Sequence, residues 1–436
     1  MIAPAKQPAT VLSHEALPEF WYKADLLGHD RNKLLAGEVI TTYFNFYEFA
    51  EAQKVFSNAT PEQRQRRLET FFSPTLLKRA RLGQGKHDRG EAVVIAGAPV
   101  HDLDSKGINR HFPLRVKGIS VLHKVVRENE TWDVSVQREI WGVDEMEELY
   151  VMVNAGILVL EPGAKILIRG NVFSLLCQQL ISEDVSDSSK SYQIGILPTP
   201  YSVDFGRGPH NGTHGRDGNP GRDGVNGQPG ELQYGTLGAW VPDQSTDRLH
   251  GSAGGHGGHG EDGTKGRNGG MCKLAEITVR QLRGRLHLFS QAGAGGNGGN
   301  GGNGGDGGKG GDGAPGLNGF NKQIPPGTGG SGGHGGNGGK GGNAGHGGLA
   351  SNIYLNVPNE ALDQVSMTAC DSTGGIGGAA GDAGHGGEHG ITLEADHPDN
   401  DGPDGKPGTR GHDGRGRPAA DLYLNDLPYK QDLESA

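Results

Sequence analysis

Glycine returns at every third position in six separate runs: Gly212–Gly230, Gly251–Gly269, Gly295–Gly319, Gly327–Gly348, Gly375–Gly390 and Gly402–Gly414. Neither an α-helix nor a β-strand has a three-residue period. An extended threefold chain does, with a residue returning to the same face every ~9.3 Å at ~3.1 Å per residue. Such a chain makes no internal hydrogen bonds, so its amides and carbonyls need partners on neighbouring segments. A face made only of glycine lets another backbone approach closely enough to supply them. Of the 80 glycines, 67 fall among the 211 residues 206–416. A stretch that is one-third glycine cannot bury an ordinary side-chain core, which excludes most enzyme folds for this half.

Two assemblies use this period. Collagen places one glycine face at a crowded axis and imino acids elsewhere. Four of the runs here are instead largely Gly-Gly-x, as in GGNGGNGGNGGDGGKGGDG and GGSGGHGGNGGKGG, and nearly lack proline. The other two, GTHGRDGNPGRDGVNGQPG and GPDGKPGTRGHDG, have a single glycine face and suit a periphery. Ordering each residue costs ~1–2 kcal/mol and each hydrogen bond returns ~0.5–1.5 kcal/mol, so isolated pairs should not hold and a folded scaffold should anchor the set. The runs pair by length around the connectors 231–250, 320–326 and 391–401, and strand-like segments separate the pairs. Gly257, Gly298, Gly301, Gly304, Gly307, Gly333, Gly336, Gly339 and Gly378 are expected to be structural glycines of this packing.

The first 205 residues carry ordinary patterns. Phe44–Phe56 reads as an amphipathic helix, and Thr60-Pro61-Glu62-Gln63 as a helix start with a capping box, the helix running toward Phe72. From Glu91 the period changes to two, and 92–96, 114–126 and 132–141 read as strands. Leu149–Leu176 alternates short apolar strands with Ala-Gly, Pro-Gly and Gly-Asn turns, the rhythm of stacked β rungs, with Ile157, Val159, Ile166 and Ile168 facing inward. The expected fold class is therefore mixed: a small helical N-terminal part, an all-β, solenoid- or sandwich-like middle, and a C-terminal bundle of about six polyglycine II helices emanating from β segments. The corresponding domains are 1–90, 91–205 and 206–425, with a tail at 426–436.

Signs of catalysis are scarce. The three cysteines, Cys177, Cys272 and Cys370, are too few for a disulfide framework. His256 and His259 stand ~9.3 Å apart on one threefold chain, too far to share a zinc ion, and no metal or cofactor is expected. Gly329-Gly330-Ser331-Gly332-Gly333 matches G-x-S-x-G without its strand-to-helix setting. The net charge of −10 argues against nucleic acid. No apolar run is long enough to insert in a membrane, and no signal peptide is read, so the chain is expected to be made in the cytoplasm and to be virion-associated or released by a non-classical route. Tyr234 and Trp240 in the first connector, and Phe320 and Ile324 in the second, have little core to enter; they form either a contact surface or an apolar plug.

On its Gly-x-x and Gly-Gly-x runs, the stretch 206–416 resembles the polyglycine II and collagen-like repeat proteins, among them the glycine-rich tip adhesins of tailed phages and the glycine-rich arthropod antifreeze proteins. The adhesin resemblance implies receptor-binding loops at the ends of the glycine segments, here at Tyr234, Trp240 and Phe320. The charged third positions, such as Asp306, Lys309 and Lys340, fit an ice-binding face poorly. Residues 1–205 carry no such resemblance. The expected function is a non-enzymatic structural or recognition protein whose partner is a protein, a surface glycan or a copy of itself. The alternatives are a filament subunit, and an enzyme or ligand-binding site within 1–205.

Overall fold

The computed structural model describes residues 17–63, 65, 112–136, 149–183, 191–199, 210–393 and 400–431. Helices α1 (Pro18–Leu26) and α2 (Arg31–Leu35), strand β1 (Ile40–Phe46) and helix α3 (Phe49–Phe56) open it. Pro18 sits in the first turn of α1, where a missing amide costs nothing. The Asp30 side chain caps α2 by accepting from the amides of Asn32 and Lys33. The helix expected from Phe44 starts at Phe49 instead. Phe44 and Phe46 lie on β1, opposite Val116 and Leu114, because their spacing of two fits a pleat better than a helical turn. Thr60 and Gln63 form the capping box: the Thr60 amide donates to Gln63 Oε1 (2.9 Å) and the Gln63 amide to Thr60 Oγ1 (3.2 Å). The continuation toward Phe72, the strand expected at 92–96 and the end of the one at 132–141 lie outside the described residues.

From Leu114 the chain coils, and each turn gives one strand to each of two facing sheets. The turns are β2 (Leu114–Val126) with β3 (Thr131–Asp133), β4 (Leu149–Leu160) with β5 (Lys165–Arg169), and β6 (Val172–Ser182) with β7 (Ile194–Leu197). The first connector carries the small hairpin β8 (Gln233–Gly235) and β9 (Gly238–Trp240). The coil resumes with β10 (Ala275–Val279), the short β11 (Leu282–Arg283) and β12 (Leu286–Gln291). A second small hairpin, β13 (Leu317–Asn318) and β14 (Gln323–Ile324), precedes the turn of β15 (Ile353–Asn356) and β16 (Val365–Cys370). The coil ends at β17 (Leu422–Leu424), followed by β18 (Leu427–Pro428).

The first sheet runs β1-β2-β4-β6-β10-β15-β17-β18, with β11 beside β6; the second runs β16-β12-β7-β5-β3. Strands β2 to β17 of the first sheet pair in parallel, in a register that stacks Ile119, Val153, Leu175, Ile277, Leu355 and Leu424. Trp132, Ile166, Ile194, Leu288 and Met367 stack likewise in the second. These apolar ladders meet between the sheets as the main core. Antiparallel strands β1 and β18 close the two edges of the larger sheet, and the β17–β18 turn places Asn425 and Asp426 at positive φ. The N-terminal helices cover its outer face, which explains why β4 is buried along nearly its whole length.

Two sequence expectations need correction. The fold class does not hold: the described residues are mainly strands, with few helical residues and a nine-stranded mixed sheet, and no C-terminal helical bundle is present. An α-helix closes its hydrogen bonds within one segment. The glycine runs are extended, and their backbone bonds cross from one run to another. Strands β10 and β15, which lie between runs, and β17, which follows the last run, extend the same sheet as β2, β4 and β6. Among the residues expected to face inward, Ile166 and Ile168 join the core between the sheets; Ile157 is buried but outside that core and Val159 only half-buried, and Leu158 and Leu160 take their places in it. The alternation slips by one residue at Gly156, between Ala155 and Leu158, and again between Cys177 and Leu180 and between Val279 and Leu282. A Cβ on Gly156 would lie 2.5 Å from the Leu122 carbonyl oxygen, so this slip needs glycine.

Candidate recognition surface

Three excursions leave the coil, between β7 and β10, between β12 and β15, and between β16 and β17. Each goes out as one glycine run and returns as the next. The six runs form a slab two rows thick, with the first, third and fifth runs in one row and the second, fourth and sixth in the other. Within a row the segments are parallel: Gly218 donates to the Asn303 carbonyl (2.7 Å) and Gly304 to that of Asp382 (2.8 Å), while Gly257 donates to His334 (2.8 Å) and Gly335 to Pro403 (3.0 Å). Between rows they are antiparallel: Gly258 donates to Asn219, Gly305 to Gly258, Gly336 to Gly305, Gly384 to Gly336 and Gly405 to Gly384, at 2.7–2.9 Å.

Every third position must be glycine because a carbonyl occupies the space a side chain would take. At the nine glycines expected to be structural (Gly257, Gly298, Gly301, Gly304, Gly307, Gly333, Gly336, Gly339 and Gly378) an added Cβ would stand 1.9–2.1 Å from a carbonyl oxygen of a neighbouring run. The middle runs have neighbours on two glycine faces. The first and last runs, which are Gly-x-x, lie at the two ends of the slab and expose two residues in three.

The remaining position of each triplet is not arbitrary, and sequence reasoning missed its role. Where an Asn, Asp or His stands there, as at Asp217, Asn303 and His256, its side chain accepts the amide of the equivalent residue one segment along the row. Asn303 donates its amide to Asp217 Oδ1 (2.6 Å) and accepts that of Asp382 on its own Oδ1 (2.9 Å). Asp262 accepts from Lys340 (2.7 Å) and Asn337 from Lys406 (2.8 Å). Histidine serves through Nδ1, as His256 does for His334 (3.0 Å) and His259 for Asn337 (2.8 Å). Short side chains with a lone pair near Cγ suit this task, which accounts for the Asn, Asp and His at these sites. His214, His250, His256, His259 and His346 are thus structural acceptors, whereas the ring of His389 meets Asp401 at 2.6 Å. Ser331 lies within the fourth run, where its carbonyl accepts from Gly254 (2.9 Å).

The connectors at the far end form a tip. On the β8–β9 ribbon, Tyr234 pairs with Ala239 and Gln233 with Trp240, so the two aromatic side chains alternate across the ribbon. Tyr234 is 81% exposed, Leu237 at the turn 85%, Trp240 50%, and Phe320 on the second connector 71%. The connectors are tied together: the Phe320 amide donates to the Ala239 carbonyl (2.7 Å), and the Asn321 side chain bonds both the amide and the carbonyl of Val241 (2.8 and 2.9 Å). Beneath them Val241, Leu249, Ala314, Leu317 and Ile324 make a small separate core. Ile324 is only 3% exposed and belongs to this plug, so of the two readings open from sequence it takes the plug and not the contact surface. The exposed Leu237, three positions before Trp240, was missed; its place in a two-residue turn flanked by Gly235 and Gly238 is the signal that could have found it.

Compared with known protein families, with curated proteins and with solved structures, the chain matches none.

Proposed function

We propose that this chain is a non-enzymatic recognition protein. Its β coil anchors a rigid slab, and the slab holds the joined connectors out toward a protein or surface-glycan receptor. The observation that carries this reading is the division of labour at the tip: one apolar set is sealed beneath the connectors, while Tyr234, Leu237, Trp240 and Phe320 stay on the surface. Exposed aromatic side chains on a fixed support lose little freedom on binding, and such residues dominate recognition surfaces. Asp217 and Asp382 on the outer side of one row, and Lys340 and Lys406 on that of the other, give the slab's two broad faces opposite charges, which favour a second reading, a structural subunit that assembles with itself.

The test is a screen of the purified chain against immobilised surface glycans and surface proteins, repeated with Tyr234→Ser, Trp240→Ser and Phe320→Ser combined. We expect a saturable ligand whose binding the triple variant loses with its melting temperature unchanged. Binding that survives the triple variant would reject the tip as the recognition surface.

A further inference from the structure

The acceptor geometry of the triplets fixes which side chains lie on which broad face of the slab. On the row of the first, third and fifth runs, the ladder that joins Asp217 to Asn303 and Asn303 to Asp382 marks the outer positions. The same register places Asp217, Asp223, Asp306, Asp312, Asp382 and Glu388 there, with Lys309 as the single fixed cation. On the other row, the ladders from Asp262 to Lys340, from Asn337 to Lys406 and from His346 to Arg415 mark the opposite face. That face holds Lys265, Lys340, Lys406 and Arg415, with Asp262 as its single carboxylate. Six carboxylates less one lysine give −5 on one side; four cations less one carboxylate give +3 on the other, with histidine neutral.

Both faces present three parallel rows of side chains, and both repeat every ~9.3 Å along each row. Six triplets by three segments spaced ~5 Å apart make about 800 Å², the size one partner contributes to a standard interface. We propose that a second copy of this chain docks here, the acidic face of one slab on the basic face of the next. The contact deepens the self-assembly reading and rests on it. Because the two surfaces differ, it is heterologous and leaves one face of each kind free, so copies add into an open stack. The common repeat sets the register, and opposite charges select this pairing over like faces. A lone polyanion could satisfy the basic face, but it would leave the acidic face without a role.

Sedimentation velocity of the full chain tests this at low salt and at about 1 M salt, where the screening length is ~3 Å. We expect assemblies that grow with concentration and weaken at least about tenfold in high salt. Lys340→Glu with Lys406→Glu takes the basic face from +3 to −1, and Asp382→Lys with Glu388→Lys takes the acidic face from −5 to −1. Neither pair removes a side chain that accepts a lattice amide. Each double variant should be monomeric, and their equimolar mixture should form 1:1 pairs, because the −5 face of the first then meets the +3 face of the second while the two faces left over are both acidic and add no further copy. A wild-type chain that is monomeric at low salt, or assembly that ignores salt, overturns the proposal; so does a wild type that stays monomeric yet binds heparin through Lys340 and Lys406. The tip triple variant should assemble normally, and the charge variants should keep receptor binding, so the two readings fail separately.

Discussion

Gly301 lies so close to Gly339 that a Cβ on the first would stand 2.1 Å from the carbonyl oxygen of the second. Backbone surrounds both residues, so nothing flexible can give way. Gly301→Ala should therefore destabilise the chain by roughly 1–3 kcal/mol, and Gly301→Val by more. Gly235→Ala, on the tip ribbon with nothing within 4 Å of its Cβ, should stay within about 0.5 kcal/mol of the parent. Thermal unfolding of the three variants checks the contrast, and equal losses at both sites would refute close backbone packing.

Asn303 links the first, third and fifth runs through one side chain and one amide. Asn303→Ala leaves the Asp382 amide without its acceptor, at a cost of about 0.5–1.5 kcal/mol. Hydrogen exchange should locate the effect at Asp382 and leave Gly304, whose bond is to the Asp382 carbonyl, close to its parent rate.

Ile324 and Phe320 sit four residues apart with opposite exposure. Ile324→Ala should cost about 2–4 kcal/mol of local stability by opening a cavity beneath the connectors. Phe320→Ala should leave melting within about 0.5 kcal/mol and weaken only partner binding. Paired melting and binding measurements on the two variants separate plug from contact surface.

Burial of His29 holds its pKa down to about 4. Its Nε2 lies 2.8 Å from Thr42 Oγ1. The unfolded chain takes up a proton near pH 6.5, and the folded site refuses it until about pH 4. Stability from this residue is therefore complete above pH 6.5 and falls as the pH drops toward 4, by about 2 kcal/mol at pH 5. Urea unfolding at pH 7 and pH 5 should show that loss in the parent, and His29→Asn should remove most of the difference.

The coil and the slab were not equally legible in the sequence. The three-residue glycine period demands close backbone contact wherever it occurs, so the nine tight glycines could be named without coordinates. The apolar rhythm of Leu149–Leu176 marked real strands, yet the inward positions slipped at Gly156, because a change of alternation at a corner leaves composition untouched. Phe44 and Phe46 failed as helix residues for a similar reason: four apolar aromatics in a short stretch satisfy either period, and pairing with β2 decides. The acceptor role of Asn303 and His256 was hidden because it depends on which run lies alongside, and the order within each row skips every second run. Tyr234 and Ile324 carry the same signal in sequence, an apolar residue in a connector; only the neighbours Val241 and Leu317 set one inside and leave the other out.

The successive turns of the coil have a further consequence. Ala275 pairs with Ile353 and Ile353 with Leu422, steps of 78 and 69 residues. The slab repeats these steps, 78 from His256 to His334 and 69 from Asn337 to Lys406. Scaffold and slab are thus commensurate, and one turn with its excursion is a unit that tandem duplication could copy whole. A gene carrying an extra unit would widen the array by one segment in each row while leaving every existing joint in place.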